Sequence, residues 1–291
     1  MILVKLEGGL GNQMFQYALG RKLSLQSGTR TLLDINLYTR DIQLTHPRMY
    51  GLSNFNIQAQ IATEEEICVI QHPYGAFWHK LRRRFERRIM GKNNLKFDPS
   101  VFLKKGDVSL EGFWQSEKYF KDIRGTLLAD FSLKKPLSPE AQGYSQKIAR
   151  EPQSVSLHVR RTDYVANEKN IRFYGSHCDQ EYYTQALAAI AQNTGRKDLH
   201  VFVFSDDIKW VKENIDIPYE KTYVPETAAP DYERVMLMSL CKYHIIANST
   251  FSWWGAWLDN KAGRIVVAPS IWIPGIDLPV SDIIPPEWIK I

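Results

Sequence analysis

The sequence predicts an α/β protein of two domains, each built on a parallel sheet. Three observations lead there. The 291 residues exceed one ordinary domain and suit two of about 130 to 150. The chain opens on a strand, glycine turn, helix, strand unit. Between Val155 and Ala268, four apolar strand candidates alternate with helical patterns, the rhythm of a doubly wound sheet.

Ile2 to Leu6 reads as a buried strand. Gly8-Gly9-Leu10-Gly11-Asn12-Gln13 follows, then a helix carried by Phe15, Ala18, Leu19 and Leu23, with Gly28 placed to stop it. Thr31 to Leu33 is the next strand. From Asp34 to Lys135 the pattern is less regular, with a short strand candidate at Val108-Ser109-Leu110, and the topology stays open. Lys134-Lys135-Pro136-Leu137-Ser138-Pro139 reads as a linker or an exposed helix start, which sets the domains at 1–137 and 138–291. Strands are then expected at Val155–Val159, His200–Phe204, His244–Ala247 and Arg264–Ala268. Helices between them run through Tyr183, Ala186, Leu187 and Ile190, through Trp210 and Val211, through Leu237, Leu240 and Cys241, and through Trp253, Trp254 and Trp257.

Composition narrows the class. The charge of +5 is a mild excess, and His79 to Arg88 alone holds six Lys/Arg in ten residues. Phe77, Leu81, Phe85 and Ile89 recur every fourth position beneath it, so the cluster reads first as the wet face of a surface helix. Peripheral contact of the basic segment 79–96 with an anionic membrane surface stays open. Nucleic acid is not expected, because no binding motif accompanies the charge. Cys68, Cys178 and Cys241 are scattered, which indicates neither a disulfide framework nor a zinc site and fits reduced thiols in the cytosol. Met1 leads straight into a strand rather than a signal peptide, and no apolar run approaches a membrane span. A cytoplasmic protein, at most peripheral to the inner membrane, is the expectation.

The chemistry concentrates where strands end. His158-Val-Arg160-Arg161-Thr-Asp163-Tyr closes one strand with two guanidinium groups, whose planar forks match phosphate oxygens in pairs. Ser205-Asp206-Asp207 closes a second and Asn248-Ser249-Thr250 a third, so all three line one edge of one sheet. Ser249 and Thr250 precede a helix, where hydroxyls and backbone N–H groups suit an anion and also serve as an ordinary cap. Asp206 and Asp207 read equally as holders of a ribose or base and as helix-start residues. The three tryptophans, at spacings of three and four, read as core. The N-terminal glycines match neither the G-x-G-x-x-G fingerprint nor a Walker loop, yet they allow close backbone approach at a helix start, where Asn12 adds a donor and an acceptor. Two α/β domains would then face a shared cleft, a diphosphate donor on one side and an acceptor on the other. No Asp-x-Asp triplet occurs, so Arg160 rather than a metal is expected to supply the countercharge.

Gly-Gly-Leu-Gly-Asn-Gln, the His158 to Tyr164 motif, Phe204-Ser-Asp-Asp and Ile246-Ala-Asn-Ser-Thr-Phe-Ser-Trp-Trp-Gly-Ala-Trp together resemble the α1,2-fucosyltransferases of glycosyltransferase family 11, in order and spacing, over nearly the whole chain. The tryptophan motif is the most specific piece; the His-x-Arg-Arg-x-Asp motif is shared with α1,6-fucosyltransferases. The resemblance implies a GT-B fold, GDP-fucose as co-substrate, no cofactor or metal, inversion at the fucose carbon, and transfer to the 2-hydroxyl of a terminal β-galactoside in a surface glycan such as O-antigen. Carried over, Arg160 would bind the β-phosphate and stabilise departing GDP, with Arg161 its structural or phosphate-binding neighbour. His158 would face the nucleotide, Ser249 and Thr250, beside Asn248, would cradle the diphosphate, and Gly9, Gly11 and Asn12 would approach from the other domain. Asp163 ranks first as general base and Glu168 second, and the chemistry does not demand either. The family's acid for guanine has no clear counterpart: an arginine occupies its neighbourhood in Asp231-Tyr232-Glu233-Arg234, leaving Glu233 or Asp231 as substitutes. Transfer in another linkage such as α1,6, and a non-catalytic nucleotide- or glycan-binding module, are the alternatives.

Overall fold

A computed structural model describes residues 1–39, 48–71, 96–161, 178–273 and 279–291. The chain divides into two compact units, Met1–Lys134 and Lys135–Ile291. Both are parallel α/β layers.

The first unit carries a four-stranded sheet in the order β3-β2-β1-β4, from β1 (Ile2–Lys5), β2 (Thr31–Asp34), β3 (Gln60–Ile61) and β4 (Val108–Leu110). Val4 lies across from Leu33 on one side and Leu110 on the other. Ile2, Leu3 and Val4 are buried, as expected of a parallel strand covered on both faces. Helix Leu10–Ser27 lies so close to β1 that a Cβ on Gly20 would stand 2.3 Å from Val4 Cγ2. The helix ends where the glycine signal put it, at Gly28 with φ 63°.

In the second unit six parallel strands run in the order β10-β9-β8-β5-β6-β7. The chain builds outward from β5 (Ser154–Val159) through β6 (His200–Ser205) to β7 (Glu220–Val224). It then crosses to the other side of β5 for β8 (Tyr243–Ile245), β9 (Ile265–Ala268) and β10 (Ile289–Lys290). The order therefore reverses between β5 and β8, which opens a crevice at their carboxyl ends.

Strand alternation sorts the two faces. Val201 and Val203 of β6 pack with Tyr183, Leu187 and Ile190 of helix Gln180–Thr194. Phe202 and Phe204 face the other way, onto Leu237 and Met238 of helix Asp231–Leu240 and Ala141 of helix Pro139–Arg150. The division between the units lies at Lys134/Lys135, three residues before the 137/138 boundary read from the sequence, and Ser138 caps the helix that follows, its hydroxyl accepting from the Ala141 N–H. Trp253, Trp254 and Trp257 of helix Thr250–Trp257 are fully buried, with Trp253 Nε1 donating to the Ile283 carbonyl at 2.8 Å.

This tryptophan helix meets helix Asp231–Leu240 at Gly255, where a Cβ would come within 2.7 Å of Met238 Cβ. Gly255→Val is therefore expected to force the two helices apart and to destabilise the unit by about 1–3 kcal/mol, read as a lower denaturant midpoint. Gly255→Ala should fall short of that.

Two second-unit strands departed from expectation. β7 (Glu-Lys-Thr-Tyr-Val) has exposed charges at its start, and β10 is two residues long, so neither offers an apolar run. The basic segment 79–95, Asp163, Glu168 and the rest of 162–177 lie outside the described residues. No helix among the described residues is long and apolar enough to cross a membrane.

Candidate functional site

The β5/β8 crevice gathers the motif residues. Val159 of β5 pairs with Ser205 of β6, so the next residues, Arg160 and Asp206, leave the sheet side by side. Arg160 Nη1 lies 3.2 Å from Asp206 Oδ2, and Arg161 donates its backbone N–H to Asp206 Oδ1 at 3.0 Å. Asp206, with only 2% of its side chain exposed, thus grips both consecutive arginines. Low local dielectric strengthens that charge-assisted contact. So engaged, the Asp206 carboxylate positions both arginines.

Arg161 turns away from Arg160. Its guanidinium lies over the Trp210 ring, 3.7 Å from the centroid, on helix Ile208–Asn214. The structural alternative for Arg161 is the one this geometry favours. Asp207 takes the helix-start role, its carboxylate accepting from the Trp210 N–H at 3.0 Å.

Across the crevice, β8 runs out into Ala247-Asn248-Ser249. Asn248 is buried and donates Nδ2–H to the Trp272 carbonyl at 3.2 Å. Ser249 occupies the N-cap of the tryptophan helix, yet its side chain makes no capping hydrogen bond. Among the described residues, the first N–H groups of that helix and the Ser249 hydroxyl are left as donors at the switch point, the arrangement that suits an anion. His158 is buried near the end of β5; its carbonyl accepts from Tyr183 Oη–H at 2.9 Å, and its ring sits 5.7 Å from that of Phe251.

Beneath the crevice a polar strap joins its two strands. Ser156 Oγ lies 2.8 Å from His244 Nδ1, and His244 Nε2 lies 3.0 Å from Asp259 Oδ2, all three residues buried. Lys261 Nζ closes the chain on Asp259 Oδ1 at 2.6 Å. Burial pushes the His244 pKa down, although the Asp259 carboxylate pulls the other way. Neutral imidazole donating Nε2–H to Asp259 and accepting from the Ser156 hydroxyl satisfies every atom. The Ser-His-Asp order imitates a nucleophilic triad, but a serine this buried meets no substrate, so the chain is a strap. Ser156 and His244 were legible only as strand positions, and nothing in the sequence singled out Asp259 or Lys261.

The first unit holds the glycine loop. Gly8 adopts φ 81°, and a Cβ there would stand 2.5 Å from Asn12 Nδ2. Asn12 Oδ1 accepts from Gln115 Nε2 at 2.9 Å, just beyond β4. Gln13, buried, clasps segment 49–51, donating to the Met49 carbonyl at 2.8 Å and accepting from the Gly51 N–H at 2.9 Å. Tyr38 Oη–H donates to the Gly8 carbonyl at 2.8 Å, and a Cβ on Gly9 would lie 3.5 Å from Arg48 Nη1. Tyr38, Arg48 and Gln115 are additions that no motif announced. Gly9, Gly11 and Asn12 sit together at the start of helix Leu10–Ser27 as the sequence placed them. Among the described residues, no three His, Cys, Asp or Glu side chains gather closely enough to hold a metal ion.

A family profile described as Glycosyl transferase family 11 matches residues 1–291, the whole chain. The chain belongs to glycosyltransferase family 11. Within the family, it is 33% identical over 301 residues to an "Alpha-1,2-colitosyltransferase" of Escherichia coli, covering 100% of this chain and 99% of the relative. It is also 33% identical over 293 residues to the "O-antigen biosynthesis glycosyltransferase WbnK" of Escherichia coli, covering 93% and 94%. The human "Galactoside alpha-(1,2)-fucosyltransferase 1" is 28% identical over 202 residues, which cover 63% of this chain and 52% of that protein. Among solved structures, the α-1,6-fucosyltransferase NodZ soaked with GDP-fucose superposes with a TM-score of 0.53 at 13% identity, over 94% of this chain and 96% of that one. This family 11 glycosyltransferase therefore shares the GT-B architecture of the fucosyltransferases.

Proposed function

We propose that this glycosyltransferase moves L-fucose from GDP-fucose to the 2-hydroxyl of a terminal β-galactoside, with inversion and without a metal ion. One observation carries the donor half of the reading: Arg160 is held at the β5/β8 switch point by a buried carboxylate, opposite the uncapped start of the tryptophan helix. A diphosphate placed there meets a fixed cation on one side and backbone N–H groups on the other. The α1,2 linkage rests on the relatives' names and on family membership.

In this reaction the acceptor oxygen bonds to the anomeric carbon while the bond from that carbon to the diphosphate oxygen breaks. GDP leaves with the electron pair, and charge grows on the β-phosphate as Arg160 faces it. The acceptor proton passes to Asp163 in this reading, with Glu168 the alternative. Asp206 acts through Arg160 rather than on substrate, and Arg161 anchors the motif against Trp210.

The colitosyltransferase similarity favours a second reading of the donor, in which another 6-deoxy sugar replaces fucose. Incubation with GDP-fucose, with its colitosyl counterpart and with a panel of galactosides, chelator present throughout, decides between them. The expected product carries fucose α1,2-linked to galactose, at an undiminished rate with chelator. A product linked elsewhere removes the galactose 2-hydroxyl assignment. Abolition of activity by chelator, restored by a divalent ion, removes the metal-free mechanism.

A further inference from the structure

We infer that Tyr182 and Tyr183, adjacent on helix Gln180–Thr194, are positioning residues that fix the opening of the β5/β8 crevice, and with it the place of Arg160 opposite the start of the tryptophan helix. The inference rests on the donor site proposed above.

The sheet opens at a defined rung. The β5/β8 ladder pairs Val155 with Tyr243, Ser156 with His244 and Leu157 with Ile245, where it ends. Beyond that rung each strand keeps to its outer neighbour. β5 continues beside β6 as far as Val159 and Ser205, while Ile246 donates its N–H to the Val267 carbonyl of β9 at 3.0 Å. The first residues past the last rung are thus His158 on one side and Ile246 on the other.

A tyrosine hydroxyl meets the carbonyl of each. Tyr183 Oη–H donates to His158 at 2.9 Å, and Tyr182 Oη–H donates to Ile246 at 2.6 Å. Both tyrosines are buried, and burial pushes both phenols well above their ordinary pKa, so each remains a donor. Successive helix positions point about 100° apart, so neighbouring side chains can reach two diverging strands from one rigid base. Their rings brace each other edge to face, with centroids 5.1 Å apart. Just before the helix, Cys178 Sγ lies 3.9 Å from Asn248 Oδ1, a further tie to the β8 side.

Phenylalanine would fill the same core without a hydroxyl to satisfy, so what the tyrosines add is direction. Arg160 stands two residues beyond His158, and Asn248 stands two beyond Ile246, with Ser249 next. A shift of either held carbonyl therefore passes within a few residues to the groups that would face the diphosphate. Misplacement by about 1 Å is enough to cost up to roughly a hundredfold in rate.

Tyr183→Phe and Tyr182→Phe, which keep the rings, test this in the intact enzyme. Amide exchange read by mass spectrometry is expected to quicken at 158–161 in the first variant and at 246–249 in the second, by about fivefold or more. With the donor that wild type uses, Tyr183→Phe should lower kcat by roughly tenfold while the donor KM moves by less than about threefold. The same change made in Arg160→Ala should scarcely lower kcat further. A purely structural role predicts a lower thermal midpoint with the kcat of the folded enzyme intact. That result, or unaltered exchange at both segments, overturns the inference. A loss of kcat as large in Arg160→Ala as in wild type overturns the route through Arg160. A wild type that transfers no fucose from GDP-fucose overturns the donor reading alone, since the exchange result does not depend on which nucleotide sugar binds.

Discussion

Arg160→Ala is expected to lower turnover at least about a hundredfold, equivalent to ~3 kcal/mol of transition-state stabilisation. The guanidinium is already oriented by Asp206, so no reorganisation is needed when charge develops on the leaving diphosphate. Because that charge appears only as the bond breaks, kcat and kcat/KM should fall together, with a smaller loss in GDP affinity. Arg160→Lys keeps the charge but not the fork, and should recover part of the rate. The alanine variant also leaves a buried carboxylate without its cation, so the thermal midpoint is read alongside. Asp206→Asn supplies the companion: it weakens the grip on Arg160 and should lower turnover by roughly tenfold in wild type but scarcely at all in Arg160→Ala. Near-normal turnover of a well-folded Arg160→Ala would end the phosphate assignment.

Asp259→Ala should unfold the second unit more readily by roughly 3 kcal/mol or more, measured as a shift in urea midpoint at constant slope. The change strands the buried His244 Nε2 without its acceptor and takes from Lys261 its closest acceptor. The pH dependence follows from His244. Burial holds its pKa below the ordinary value of about 6.5, so the folded state favours neutral imidazole while the unfolded chain takes up a proton there. Stability from this group is full above about pH 6.5 and is lost as pH falls from there toward the lower folded value. His244→Gln should flatten that slope. An unchanged slope would show that the strap does not govern acid sensitivity.

The amount of this fold legible in the sequence depended on where side chains face. β1, β5 and β6 are covered on both sides, so runs such as Ile2-Leu3-Val4 and His200-Val-Phe-Val-Phe announce them. β7, whose first residues are solvent-exposed, carries Glu220 and Lys221 and announces nothing. Site residues show the same division. Arg160 drew notice because its strand end coincides with polar groups closing two other strands, Ser205-Asp206-Asp207 and Asn248-Ser249-Thr250. The work of Asp206 was not visible, because it depends on the pairing of Val159 with Ser205, and register cannot be read from one strand alone. Likewise Asp231 and Glu233 are indistinguishable in sequence. Two residues along a helix place them on different sides, one toward Ser138 and the other toward Arg234.

The grip of Asp206 on Arg160 has a bearing on the end of the catalytic cycle. An empty phosphate site lined only by arginines would hold its product tightly and would attract any passing anion. Here the guanidinium has a counter-ion built in at its side. In the reaction proposed above, a departing diphosphate would leave the cation to a neighbour already in place, so the vacated site would expose less bare charge to stray phosphate.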